Sequence, residues 1–201
     1  MMKIKIIITS ALFFVCLIIT NAQTDSNLNE LYKLIDSSVQ QLIDKIEFGK
    51  SEYGLSLTSL PEYKSLEDRV YTSFSKGKFA VNLTDSSKTD RIEFGIKSAK
   101  VNYSELFRDG FFGSYKTTRE IHLNTLITIV EDNKIAFSES FNANFTDTVD
   151  YDEIRNLETA SLPFTKSKLP EEPLFPGLIE PAIAIGAIAV SVFLLFSVRS
   201  K

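Results

Sequence analysis

Asn144, Asp147, Asp150, Asp152 and Glu153 set five oxygen-bearing side chains within ten residues. Such a cluster could hold Ca²⁺, which takes about six to eight oxygen ligands, or supply the acid and base of a hydrolase. Asp147, Asp150 and Asp152 are the residues either chemistry would use. The spacing lacks the glycine and distal glutamate of an EF-hand loop. Acidic residues at a helix start are explained equally well by capping and by the helix dipole. Nucleophilic catalysis finds little else to work with: Cys16 lies inside an N-terminal apolar run, and the chain's one histidine, His122, alternates with Ile121 and Leu123 as a strand residue. A lone strand histidine reads as a surface or pairing group, and zinc sites of the usual Cys/His kinds cannot be built from it. Neither a G-x-S-x-G elbow nor a glycine-rich phosphate loop is present. The expectation is therefore no enzyme, no cofactor and no metal, with the three aspartates held in reserve.

A second kind of site is apolar. Leu106-Phe107-Arg108-Asp109-Gly110-Phe111-Phe112-Gly113 reads as a loop between two long strands. Phe107, Phe111 and Phe112 could contact a partner or a membrane surface. Alternatively, the loop folds back over an open end of the core.

These residues need elements to position them. From Ser26 to Phe48 apolar residues recur at three and four, predicting an amphipathic helix that starts at an Asn27–Glu30 capping box and stops at Gly49. Tyr53, Leu55 and Leu57 alternate as a short strand, and Ser59-Leu60-Pro61-Glu62 opens a second helix through Phe74. Glu67-Asp68 is placed on its solvent side. Phe79, Val81 and Leu83 form a strand. Ile92, Phe94 and Ile96 share one phase, whereas Ala99, Val101 and Tyr103 share the other, which demands an extra residue between Gly95 and Lys100. Ile121 to Val130, the turn Glu131–Lys134 and a return strand to Phe145 make a hairpin. Asp150 caps a short helix carrying Tyr151, Ile154 and Leu157. The reading is an α+β, two-layer sandwich of two main helices on a mostly antiparallel sheet, plus a single C-terminal transmembrane helix.

Charge and hydropathy place that domain. The formal net charge is −4, but all 26 acidic residues fall between Asp25 and Glu180, while Lys3, Lys5, Arg199 and Lys201 flank two apolar blocks. The middle carries 18 basic against 26 acidic groups, a net of −8, which argues against nucleic acid as its partner. Residues 1–22 read as a signal peptide ending in Thr20-Asn21-Ala22. Phe14-Val15 before Cys16 lack the small residues of a lipoprotein cleavage box. The expected layout is then an exported domain at 23–159, a Pro-rich stalk at 160–177, a membrane helix at 178–198 and a cytoplasmic tail at 199–201. Ala182, Gly186 and Ala189 put small side chains along one face of that helix, where another membrane helix could pack.

The run Ile92-Glu93-Phe94, the Arg119-to-Val130 strand and the return strand ending Phe145-Thr146-Asp147 resemble small bacterial envelope modules. These are the αβαβββ, anticodon-binding-like domains of curli-export-type lipoproteins, of penicillin-binding-protein activators and of the Tol-system translocation protein's N-terminal domain. The resemblance covers Ser26 to Phe145 and implies binding to another envelope protein. This chain departs from those lipoproteins in its C-terminal apolar helix and in having no acylated cysteine. The functional expectation is a non-enzymatic, single-pass protein of the bacterial inner membrane with its domain in the periplasm. Its partners would be an unidentified envelope protein, the lipid bilayer through the C-terminal helix, and a second copy. The alternatives are a carboxylate-dependent envelope hydrolase and a passive subunit that associates through its membrane helix.

Overall fold

The computed structural model describes residues 24–45, 52–76, 80–82, 90–110, 113–171 and 179–199. The expected signal at 1–22, Phe111, Phe112 and residues 172–178 of the expected stalk lie outside them. Helix α1 runs Asn27–Lys45 and buries Leu31, Leu34, Ile35, Val39 and Leu42 on one face. Its start differs from the expected Asn27–Glu30 capping box. Ser26 is the cap: its Oγ accepts from the Asn29 N–H at 3.2 Å, and its carbonyl from Glu30 at 3.0 Å. That frees the Asn27 side chain to turn into the protein.

Strand β1 spans Glu52–Ser59, and Pro61–Leu66 then forms a 3-10 turn that leads into α2, Glu67–Ser75. The Ser59–Glu62 capping box does not form either, because Ser59 Oγ donates to Glu67 Oε1 at 2.6 Å. Glu67, expected on the solvent side, is only 7% exposed and also accepts a hydrogen bond from Lys64 Nζ. Burial pushes its carboxyl up, but the bonds from Lys64 and Ser59 outweigh it and hold the group below the ordinary value of 4.5. A carboxyl lowered by folding stabilises above its unfolded value and loses that contribution as pH falls through its folded one. Glu67→Gln should therefore cost about 1 kcal/mol at neutral pH. The cost should shrink below pH 4.5, as urea titrations at pH 7 and pH 3.5 would show; an equal cost at both would overturn this.

The sheet has five strands in the order β2-β1-β3-β4-β5. Strand β2 is Ala80–Asn82, β3 Arg91–Arg108, β4 Tyr115–Glu131 and β5 Lys134–Asp150. The three long strands are antiparallel, whereas β1 runs parallel to both β2 and β3. The α+β reading thus holds, with a mixed sheet. The phase switch in β3 is a register shift between Ile96 and Ser98, which returns Ala99, Val101 and Tyr103 to the face of Ile92 and Phe94. A second shift lies at Ser104/Leu106, where Glu105 adopts φ 55°. The β4–β5 turn centres on Asp132 and Asn133 at φ 49° and 60°, the paired left-handed conformation of a two-residue type I′ hairpin.

Helices cover one face of the sheet. Phe74 of α2 meets Phe94 of β3 edge-on, ring centroids 5.9 Å apart. After β5, a 3-10 turn at Tyr151–Glu153 leads into α3, Ile154–Leu157, whose Ile154 and Leu157 are buried. Asp150 precedes the turn but makes no side-chain capping bond. The stalk expected from residue 160 is not extended there. Pro163–Thr165 forms a further 3-10 turn, burying Phe164 against Tyr63 at 5.5 Å between centroids. Leu162 and Leu169 pack on the same core. Proline's fixed φ suits the first position of such a turn, and the apolar side chains after it have a core to join.

Helix α4 spans Ile179–Arg199, and its described side chains are exposed throughout. Among the described residues no helix is long and apolar enough to cross a membrane. The single transmembrane helix expected at 178–198 is therefore not supported among the described residues. Ala182, Gly186 and Ala189 face open space, and a Cβ added at Gly186 would meet nothing within 4 Å.

Candidate functional site

Period-two alternation sorts β4 into two sets. Thr117, Arg119, Ile121, Leu123, Thr125, Ile127 and Ile129 turn toward the helices, and all are buried. Arg119 is the exception in chemistry: a guanidinium with no exposed surface. Its Nε and Nη2 donate to Asp147 Oδ1 and Oδ2 at 2.8 and 2.5 Å across the β4–β5 pair. Its Nη1 donates to Asn27 Oδ1 at 2.9 Å and to the Asp25 carbonyl at 2.8 Å. The Phe145 ring lies beneath it, 5.6 Å from centroid to guanidinium carbon. Asn27 completes the cluster, its Nδ2 donating to Tyr103 Oη at 2.7 Å and to the Thr165 carbonyl at 2.8 Å. Burial pushes the Tyr103 hydroxyl's pKa up, and the Asn27 bond offsets part of that rise.

This clasp joins the segment before α1, strands β3, β4 and β5, and the turn at Thr165. Four of the guanidinium's five N–H donors are spent inside the protein, so the cluster positions chain rather than substrate. Arg119 and Asn27 were not singled out from the sequence as site residues. The signal was nonetheless present, since Arg119 shares the buried phase of Ile121 and Leu123.

The reserve aspartates do not converge. Asp147 and Asp150 are three residues apart in one strand and so turn to opposite faces. Asp147 is held by Arg119, Asp150 accepts from Ser114 Oγ at 2.7 Å, and Asp152 stands exposed in the turn beyond. Asn144, the fourth oxygen donor, pairs with His122 instead. Among the described residues no group of three or more His, Cys, Asp or Glu is placed to hold a metal. A cavity of about 320 Å³ lies elsewhere, between α1 and α2 against Asp36, Val39, Ser73 and Lys76. Both the calcium site and the carboxylate hydrolase lose the geometry they require.

No described element packs on the other face of the sheet. There His122 Nδ1 lies 2.8 Å from Asn144 Oδ1, Asn124 Nδ2 donates to Asn142 Oδ1, and Thr128 meets Ser138 at 3.0 Å. Lys100 and Asn102 of β3 lie opposite His122 and Glu120 in register. The result is a broad lattice of amides and hydroxyls. Phe107 stands at its end, 42% exposed and paired with Lys116. It belongs to β3 rather than to a loop, because the strands continue to Arg108 and resume at Tyr115. The Arg108 guanidinium over the Tyr115 ring at 5.5 Å, and the Lys116–Asp109 ion pair at 2.6 Å, hold that end together.

No family model matches the chain, and no curated protein matches it. Among solved structures, matches include two bacterial lipoproteins and a bacterial hemagglutinin homolog. A minor lipoprotein from Acinetobacter baumannii is 13% identical at a TM-score of 0.33, over 49% of this chain and 66% of that one. Rare lipoprotein B from Shewanella oneidensis is 14% identical at 0.35, over 73% and 94%. A neuraminyllactose-binding hemagglutinin homolog from Helicobacter pylori is 12% identical at 0.36, over 55% and 76%. This likeness is coarser than the curli-export, penicillin-binding-protein-activator and Tol-type families read from element order.

Proposed function

We propose that this chain is a non-enzymatic binding module of the bacterial envelope, anchored in the inner membrane with its domain in the periplasm. The observation that carries the reading is the sheet face on which no described element packs. His122, Asn124, Thr128, Ser138, Asn142 and Asn144 make its middle polar, and it ends in the exposed Phe107. Interfaces of this kind use a few aromatic anchors set among hydrogen-bonding groups, with the anchor supplying much of the affinity. A partner would bring an apolar pocket for Phe107 and amide or hydroxyl groups for the lattice beside it. Phe111 and Phe112, the other expected contact residues, lie outside the described residues.

Anchoring is read from the sequence, where Pro181 to Val198 carries no charge, although no described helix is long and apolar enough to cross a membrane. Arg199 and Lys201 would keep the tail in the cytoplasm, and residues 1–22 would act as the export signal. The test uses the intact chain in its own membranes, with a photocrosslinker at Asn102. Phe107→Ser should lower the yield of one discrete crosslinked partner about tenfold, a loss of about 1.4 kcal/mol. Unchanged crosslinking from a folded variant would overturn the assignment.

A further inference from the structure

The chain enters and leaves the domain at one end of the sheet. Just before α1, the Asp25 carbonyl is held by Arg119 Nη1 at 2.8 Å. Arg119 lies three residues along β4 from Lys116, the partner of Phe107, and so about 10 Å from it. Helix α1 then runs away from that end, since Lys45 in its last turn pairs with Glu139, opposite Ile127. After α3 the chain comes back. Phe164 packs on Tyr63, the Thr165 carbonyl accepts from Asn27, and the Pro170 carbonyl accepts from Tyr151 Oη at 3.3 Å. Tyr151 follows Asp150, which pairs with Lys116. Glu171, where the described part of the domain ends, therefore stands at the Phe107 end of the sheet.

Covalent length turns that exit into a limit. Eight Cα steps separate Glu171 from Ile179, the first residue of α4, a reach of about 28 Å when fully extended. The β4–β5 turn lies at the opposite end of the strands, about 50 Å from Lys116. A domain anchored through residues 181–198 is thus held by its Phe107 end, with the β4–β5 turn pointing away from the bilayer.

We infer that the partner met by Phe107 and the polar lattice beside it is an integral membrane protein, contacted close to the bilayer surface. The inference rests on the anchored-module reading and names the partner class for the same face. Two proteins held in one membrane meet at a fixed height, and a tether that matches this height raises their effective concentration. A freely soluble partner gains nothing from that placement and would have to approach through a gap no wider than a small domain. Charge favours protein over lipid as the contact. Around Phe107 stand Glu105, Asp109 and Asp150 against Arg108 and Lys116, an acidic excess that anionic headgroups repel.

A protease site inserted between Pro176 and Gly177 of the full chain, with a photocrosslinker at Asn102, tests this in native membranes. After crosslinking and cleavage, carbonate-washed membranes should keep the adduct through the partner's own span and release the uncrosslinked domain. Release of the adduct would overturn the inference, because the partner would then be soluble or peripheral. An adduct to lipid alone, or retention of the uncrosslinked domain, would overturn it as well. A crosslinker at Thr118 should give the adduct in about fivefold higher yield than one at Ser138, about 33 Å farther along the sheet. Equal or higher yield at Ser138 would place the contact away from the membrane and also overturn it. Absence of any protein adduct, or one unchanged by Phe107→Ser, would sink the partner reading itself. A Phe107-dependent adduct that washes off would sink this inference alone.

Discussion

Asp147→Ala should lower folding stability by about 3 kcal/mol and the melting temperature of the full chain by roughly 6–12 °C. Arg119 has no exposed surface and cannot shed its charge. Without Asp147 the guanidinium keeps two neutral acceptors, Asn27 Oδ1 and the Asp25 carbonyl. Removing one partner of a buried pair usually costs about 3–5 kcal/mol, most of it the desolvation of the charge left behind. Asp147's side chain is 26% exposed, so water can partly replace it and the lower figure applies. An apolar pair, Arg119→Met with Asp147→Leu, should recover most of the loss. Thermal unfolding of the three variants checks both parts. A loss below about 1 kcal/mol for Asp147→Ala would mean that the clasp is as wet as a surface ion pair.

Phe94→Ala should cost about 3–5 kcal/mol, since truncating a buried phenylalanine loses its transfer energy and leaves a cavity. Phe94 is 1% exposed and sits in β3, where the parallel pairing to Leu57 of β1 meets the antiparallel pairing to Ile127 of β4. Its edge contact with Phe74 also ties α2 to the sheet. Domains of this size are stable by about 5–15 kcal/mol in all, so the variant should unfold at a markedly lower urea concentration. Phe137→Ala is the control: Phe137 is partly exposed on the edge strand and should cost far less. Equal losses at the two sites would contradict the layered core.

The helices, the hairpin and the switch within β3 were legible because each rests on local periodicity. Ile92, Phe94 and Ile96 against Ala99, Val101 and Tyr103 demanded one extra residue, and the sheet supplies it between Ile96 and Ser98. What local pattern could not reveal was the use of polar residues over long range. Asn27 resembled a cap, yet it bonds to Tyr103 and Thr165, 76 and 138 residues away. Glu67 resembled a solvent residue until Ser59 and Lys64 closed on it. The prolines after residue 160 suggested a stiff spacer, but Phe164 and Leu169 had apolar surface to cover. Among the reserve residues, three-residue spacing marked Asp147 and Asp150 as pointing apart once they were known to share a strand.

The clasp around Arg119 also has a mechanical meaning. Were residues 158–166 loose, tension on the chain beyond them would act on the Asp150 end of β5. It would peel that strand from β4 one pair at a time. With Phe164 wedged against Tyr63 and the Thr165 carbonyl bound to Asn27, the load enters beside the start of α1 instead. There it must shear several contacts at once, so β5 would stay paired under such a pull.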